Sequence, residues 1–190
     1  MEKELPIIKT ERLILRQIRN SDAEDFYEYA KQKMVGENAG WHYHQSIAES
    51  KAVIRLFNDK RNFGQLGVYS IILKEENKMI GTIELHTYVK GHKAELGYAL
   101  NPKYWGNGYI VEASKYLIAY GFDVLKLKRI ECYAFVANLR SKRVCEKLGL
   151  TYEGIRKKAY QLYDGSIHDE LCYAIIDDEF YNRIREESWF

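Results

Sequence analysis

Two glycines near the middle of the chain lie where a strand gives way to a helix, an arrangement suited to binding phosphate. The segment Glu95–Leu100 is short and apolar, Pro102 ends it, and a helical period begins at Val111. Gly106 and Gly108 bracket the turn, and without β-carbons they let a ligand approach the backbone. The N–H groups of the turn and of the first helical turn attract anions. The spacing alone is equally that of an ordinary strand-to-helix turn.

Side chains on nearby strands could move a proton. Glu95 is the first candidate for a general base because its strand leads into the glycine turn, and Glu84 and His86 are second candidates on the preceding strand. A histidine titrates near neutral pH, which suits such a role. Each of the three could instead be structural, as an ion-paired carboxylate or a packed ring. Asp169 and Glu170 are weaker candidates.

Two capping patterns predict where helices begin. Residues 20–22 (Asn-Ser-Asp) can start one helix, with Asp25 in capping-box range, and Ser46 can start another, with Glu49 three residues on. Between the two helices, residues 35–44 are rich in glycine and aromatic side chains and are expected to form a loop.

Apolar periodicity predicts the other elements. We expect strands over 10–18, 67–73, 79–89, 94–100, 129–136, 151–163 and 168–176, and helices over 108–122, 138–148 and 177–189. Helical crossovers follow the strands at 94–100 and 129–136, so parallel pairing is expected after each. The pattern predicts an α/β (α+β) fold with a mixed, mostly antiparallel sheet and helices on both faces.

Size and charge limit the functions that fit the chain. A chain of 190 residues with 46% hydrophobic and 29% charged residues is typical of one soluble domain, here 1–190. A net charge of +2 gives no bias toward nucleic acid or membrane. No apolar run approaches about 18 residues, and the N-terminus lacks the apolar core of a signal peptide.

The cysteines and histidines show no metal-ligand spacing. Three cysteines, an odd number, stand in apolar surroundings at Cys132, Cys145 and Cys172. This pattern is typical of reduced, mostly buried thiols, so a cytoplasmic protein without a metal is expected.

A dinucleotide site is one alternative for the glycine turn. The two glycines precede a helix, and Glu131 follows roughly 20 residues later, as the Rossmann fingerprint requires. Val111 stands at the third glycine position, however, and the antiparallel strands before the turn do not fit a doubly wound sheet.

Three motifs together resemble the GNAT superfamily of acetyl-CoA-dependent N-acetyltransferases, and most closely the branch that acetylates ribosomal-protein N-termini. The family's phosphate loop, Q/R-x-x-G-x-G/A, falls on Trp105–Ile110, with Gly108 as its central glycine. Trp105 replaces Gln or Arg, and Ile110 replaces Gly or Ala. Residues 138–150 resemble the family's N-x-x-S/A…E-K-x-G-F helix, and residues 10–16 resemble the branch's opening strand.

The resemblance implies where CoA would bind. The pyrophosphate would lie on the N–H groups of Gly106, Asn107, Gly108, Tyr109 and Ile110, with Trp105 packed on the ligand. The pantetheine arm would pair with the strand edge formed by Tyr98, Ala99 and Leu100. This strand and the strand at 129–136 would form a splayed pair, and the thioester would point into the gap between them.

Three residues of the second motif could act near the thioester. Asn138 could hydrogen-bond pantetheine, or it could simply cap the helix. Ser141 could donate to CoA or to the leaving thiolate, or be an ordinary helix serine. Cys145 stands where the family often has a tyrosine acid, but buried packing is the favoured interpretation.

The resemblance implies transfer of an acetyl group from acetyl-CoA, with no metal, to the α-amino group of a protein N-terminus, that of a ribosomal protein. Glu95, Ser141 and Glu84 are the candidate catalytic residues. The segment 35–46 and the hairpin tip at 164–165 would wall the acceptor site. The alternatives are a small amine acceptor, such as a polyamine or an antibiotic, and a CoA-binding protein without activity. No nucleic acid or membrane partner is expected, and a homodimer is compatible with the sequence.

Overall fold

An eight-stranded sheet organises the structure, a computed structural model that describes residues 4–190. Its strands are β1 (Ile8–Lys9), β2 (Leu13–Gln17), β3 (Val68–Leu73), β4 (Lys78–Val89), β5 (Lys93–Leu100), β6 (Arg129–Phe135), β7 (Thr151–Gln161) and β8 (Ile167–Ile176). The spatial order is β1-β2-β3-β4-β5-β6-β8-β7, and β5–β6 is the parallel pair in an otherwise antiparallel sheet. The mixed, mostly antiparallel sheet is confirmed.

Helices cover both faces of the sheet, as predicted. They are α1 (Ala23–Ala30), α2 (Lys33–Ala39), α3 (Ile47–Asp59), α4 (Tyr109–Asp123), α5 (Leu139–Lys147) and α6 (Asp177–Arg185). Side chains of α1–α3 form one buried cluster with the sheet, and side chains of α4–α6 form another on the opposite side. We call the α1–α3 side the front face and the α4–α6 side the rear face.

The loop predicted over residues 35–44 is wrong in its first half, which forms α2. The glycines of this segment shape the helix and its end. Gly36 packs so closely that a β-carbon there would lie 2.5 Å from the Trp41 carbonyl oxygen. Gly40 ends the helix with a left-handed φ of +83°.

One predicted cap is confirmed and one is wrong. Ser46 accepts a hydrogen bond from the Glu49 N–H at the start of α3. Asp25 does not cap the first helix, because its carboxylate accepts instead from the N–H of Met79 on β4. Asp22 binds the N–H of Arg19 in its place.

The expected parallel pairing after residues 129–136 is also wrong, since β8 lies between β6 and β7. The burial patterns give the reason. β8 is buried over most of residues 170–175 and places Leu171, Tyr173 and Ile175 in the rear core, whereas β7 is exposed along most of its length. The more apolar strand therefore occupies the internal position.

The last helix ends at Arg185, earlier than the predicted residue 189. The chain turns through Glu187, which has a φ of +52°. The turn lets Trp189 bury its ring and donate its indole N–H to the carbonyl oxygen of Lys115 on α4. Burial of this large side chain accounts for the early end of the helix.

β5 and β6 separate after three paired positions, which confirms the splayed pair. The pairing runs from Lys93↔Arg129 to Glu95↔Glu131, and Leu96–Leu100 continue along β4 alone. The gap between the two strands is the feature that positions the site.

No helix within residues 4–190 is long and apolar enough to cross a membrane. Residues 1–3, which enter the expectation that there is no signal peptide, lie outside the described residues.

Candidate active site

A cavity of about 450 Å³ occupies the gap beside β5. The end of β5, the glycine turn, the start of α4 and the side of α5 line it from the rear, and α2 lines it from the front. It includes ten of the predicted CoA-binding residues: Tyr98, Ala99, Leu100, Trp105, Gly106, Gly108, Tyr109, Ile110, Asn138 and Ser141. Asn107 does not line it, because its amide group folds back onto the carbonyl oxygens of Tyr104 and Trp105.

The glycine turn fits an anion. Gly106 and Gly108 have φ values of +83° and +77°, a conformation that glycine adopts without strain. Gly108 is the N-cap of α4 and supplies no side-chain cap, so the first N–H groups of the helix remain available. A β-carbon on Gly106 would meet no atom within 4 Å, which shows open space beside the backbone. The turn can therefore hold the diphosphate of CoA.

A carboxylate in the first turn of α4 is kept away from this site. Glu112 accepts hydrogen bonds from the Thr10 hydroxyl and from the backbone and side chain of Arg12. Burial alone would raise the pKa of Glu112, but these hydrogen bonds outweigh burial and lower it. Arg12 also donates to the Asn107 carbonyl oxygen. This hydrogen bond ties the glycine turn to the segment that leads into β2.

Trp105 has a structural partner and a cationic neighbour. Its indole N–H donates to the Leu100 carbonyl oxygen at 2.9 Å, and the Arg140 guanidinium stacks 4.3 Å from its ring centre. Arg140, Arg143 and Lys147 all line the cavity. These α5 cations, spaced i, i+3 and i+7, supply the positive charge that Trp105 lacks. Sequence reasoning missed them, although the helical spacing after Asn138 was a usable signal.

The strand edge offers fewer free groups than predicted. The Asn101 N–H binds the Ile80 carbonyl oxygen on β4, so alternation along β5 turns the backbone groups of Tyr98 and Leu100 toward the gap and those of Ala99 toward β4. The Leu100 carbonyl is already bound to Trp105. Tyr98 is therefore the residue whose N–H and C=O can both pair with pantetheine.

The second motif places its polar groups at the same gap. Asn138 caps α5 by accepting from the Ser141 N–H, and its amide N–H₂ reaches the Asn38 carbonyl oxygen of α2 at 3.4 Å. The Ser141 hydroxyl lies 2.7 Å from the Tyr98 hydroxyl. Cys145 is fully buried, with its Sγ 3.5 Å from that of Cys132. The cap and the buried thiol are as expected.

Glu95 lies on the front face at the base of the gap. The next residues on its face are Gly97 and Ala99, and Ala99 belongs to the front core. Burial, followed by the charges of Glu170 and Glu131, raises the pKa of Glu95 to about 7. His86 pairs opposite Glu95 in the sheet, with its Nε2 3.6 Å from the carboxylate, and burial lowers the pKa of His86.

The other front-face carboxylates have cationic partners. Glu84 lies 2.6 Å from the Lys60 ammonium, Glu131 binds Lys93 and Arg129, and Glu170 lies 3.4 Å from Arg156. Asp169 accepts from the Lys158 N–H on β7. Glu84 stays a candidate base, but its carboxylate is engaged by the Lys60 ammonium.

The fold and the cavity define an acyltransferase that takes its acyl group from a CoA thioester. The family model "Acetyltransferase (GNAT) domain" matches residues 12–151. The chain belongs to the GNAT acetyltransferase family and is an acetyl-CoA-dependent N-acetyltransferase. The Rossmann alternative is therefore wrong.

Known proteins are similar over nearly the whole chain. The uncharacterized N-acetyltransferase YoaA of Bacillus subtilis (strain 168) is 32% identical over 90% of this chain and 97% of its own. YdaF of the same organism, provisionally assigned as a ribosomal N-acetyltransferase, is 29% identical over 86% and 90%. The structure of RimL, a ribosomal alpha-N-protein acetyltransferase in complex with coenzyme A, superposes with a TM-score of 0.81 at 24% identity, covering 92% of this chain and 99% of that one.

The geometry divides the reaction between the two faces. Acetyl-CoA supplies an activated acetyl group, and the glycine turn and the α5 cations can hold its phosphates at the rear. The cavity is lined from both faces, so the thioester can reach through the gap toward Glu95. Ser141 faces the gap from the rear and can donate a hydrogen bond to the sulfur. The described residues contain no cluster of histidine, cysteine or carboxylate side chains that could hold a metal.

Proposed function

We propose that the enzyme acetylates the N-terminal α-amino group of a protein, with Glu95 as the general base. One observation carries this proposal: a carboxylate with a pKa raised to about 7 lies where the splayed strands open. A base works best when its pKa is near the operating pH. An α-amino group has a pKa of about 7.7–8.0, so it needs little help at neutral pH, whereas lysine at about 10.4 needs more.

The surroundings of Glu95 support an amine acceptor. The front face next to the gap carries Glu95 and Glu170 together with aromatic rings, among them Phe135 packed on Tyr160. A protonated amine is attracted to such carboxylates and can pass its proton to Glu95, directly or through one water. The Tyr160 hydroxyl donates to the Gly40 carbonyl oxygen and closes one side of this region with the end of α2.

The provisional ribosomal assignment of YdaF favours a ribosomal protein as acceptor. Such an acceptor fits the cytoplasmic location expected from the three unpaired thiols. The chain 1–190 would act as one domain, and a homodimer is compatible with this function.

Matched peptides test the acceptor. One peptide has a free N-terminus and an acetylated lysine, and its partner has an acetylated N-terminus and a free lysine; spermidine and an aminoglycoside serve as small amines. We expect the highest kcat/KM for the peptide with the free N-terminus, measured by release of CoA thiol. A preference for the lysine peptide or for a small amine would contradict the proposal and leave the family assignment intact.

A further inference from the structure

The hydroxyl groups of Tyr98 and Ser141 meet across the gap between β5 and α5. They lie 2.7 Å apart, although 43 residues separate them in sequence. Within residues 4–190, the Tyr98 hydroxyl is the one hydrogen-bond partner of the Ser141 side chain. The Tyr98 ring packs against the rear core, and both residues line the cavity.

Either hydroxyl could donate in this hydrogen bond, and the surroundings favour donation by Tyr98. The Tyr98 hydroxyl lies against the thiol of Cys132, which in turn contacts Cys145, and thiols are weak donors and acceptors. Ser141 Oγ is therefore the strong acceptor within reach of the phenol. Burial raises the pKa of Tyr98, so the phenol keeps its proton and remains a donor. When Tyr98 donates to Ser141 Oγ, the serine hydrogen is free to point elsewhere.

We propose that Tyr98 is a positioning residue that turns the Ser141 hydroxyl hydrogen toward the sulfur of the departing CoA thiolate. In the transfer, the carbon–nitrogen bond forms, the carbon–sulfur bond breaks and its electron pair goes to sulfur. Ser141 stabilises that charge with a hydrogen bond and keeps its proton. The proton that the amine loses reaches the sulfur through the base and solvent, so atoms and charge balance. The proposal rests on acetyl transfer and not on the identity of the acceptor.

A double-mutant cycle tests the proposal. Tyr98→Phe, Ser141→Ala and the double variant are compared under single-turnover conditions, which isolate the chemical step, with whichever amine gives turnover. A hydrogen bond to a charged group contributes about 1.5–3 kcal/mol, so we expect each single variant to lose about 10- to 100-fold in rate. The double variant should be no slower than Ser141→Ala, and the dissociation constant for acetyl-CoA should change less than about threefold.

Tyr181→Phe is the matched control, because it removes a phenol that binds the Phe122 carbonyl oxygen outside the cavity. It should keep the wild-type rate, and all variants should keep wild-type melting temperatures. A wild-type rate for Tyr98→Phe or Ser141→Ala would overturn the proposal. So would losses that multiply in the double variant, because Tyr98 would then act independently of Ser141.

If Tyr98→Phe melts early, Tyr98→3-fluorotyrosine, a more acidic phenol of nearly the same shape, replaces it in the cycle. A stronger donor should raise the rate when Ser141 is present and leave it unchanged in the Ser141→Ala background. No rise with Ser141 present, or a rise of the same size in the Ser141→Ala background, would overturn the proposal.

Discussion

Glu95 and Glu131 form the last cross-strand pair between β5 and β6, and beyond this pair the strands separate. Glu131 is neutralised by Lys93 and Arg129, whereas the neighbour of Glu95 is a histidine that burial keeps neutral. Two carboxylates in register thus have opposite pKa directions, lowered for Glu131 and raised for Glu95. The position where pairing stops is also where a carboxylate is left able to accept a proton.

The first prediction concerns the base. Glu95→Gln keeps the shape and removes the proton acceptor, so turnover at pH 7 should fall roughly 10²-fold or more. Activity should partly recover above pH 8, as the free amine becomes abundant, and the dissociation constant for acetyl-CoA should hardly change. The measurement is kcat/KM between pH 6 and 9. Glu84→Gln is run in parallel, and a larger loss in that variant would move the base to Glu84.

The second prediction concerns stability. The pKa of Glu95 is higher in the fold, at about 7, than the unperturbed 4.5, so its contribution is fully present below pH 4.5 and is lost as pH rises through 7. At pH 8 the free energy of unfolding of Glu95→Gln should therefore exceed that of the wild type by at most ~3 kcal/mol. Near pH 4.5 the two free energies should be equal. Urea denaturation at both pH values measures this.

Glu153→Gln is the control for that measurement. Its hydrogen bonds to Arg129 lower the pKa of Glu153, so its contribution to stability is present above the unperturbed pKa and is lost as pH falls. This variant should lose stability at pH 8, the opposite sign from Glu95→Gln. If Glu95→Gln also lost stability at pH 8, the charge of Glu95 would not destabilise the fold.

The third prediction concerns the glycine turn. Gly108→Val places a branched side chain where phosphate should lie and strains a residue with positive φ. Acetyl-CoA affinity should fall at least about 10-fold, and the ~2.7 kcal/mol stabilisation expected at 100 times the wild-type dissociation constant should shrink. Gly64→Val has the same strain, with a φ of +79°, but lies outside the cavity and should bind normally. Calorimetric titration and melting curves measure both effects. Equal affinity in the two variants would place the phosphates elsewhere.

The fourth prediction concerns the cations of α5. Arg140→Gln removes the guanidinium that stacks on Trp105, and loss of a charged hydrogen bond of about 1.5–3 kcal/mol should weaken acetyl-CoA binding 10-fold or more. The difference from wild type should shrink at high salt, because screening weakens exposed charge interactions. Lys142→Gln, an exposed cation that does not line the cavity, is the control. Equal losses in the two variants would indicate only a change in net charge.

Short-range patterns predicted the parts of the site that depend on neighbouring residues. The glycine turn at Gly106 and Gly108, the Asn138 cap and the Ser46 cap all rest on contacts within a few residues, and the structure contains each of them. The helix in place of the predicted loop at 35–44 has a longer-range cause. Gly36 allows the chain that follows the helix to pack against it. The number of glycines in a segment does not distinguish this packing role from the flexibility of a loop.

By itself, the sequence determined the family motifs, the order of most elements and the loop that can hold phosphate, because these depend on residue type and local spacing. The tertiary structure alone decided which groups meet in the gap. It placed Tyr98 against Ser141, Arg12 against Glu112 across 100 residues, and Glu170 near enough to affect Glu95. The reason is that strand register and burial set these contacts. The pKa of a carboxylate depends on the charges and the solvent around it, and only the folded chain brings those together.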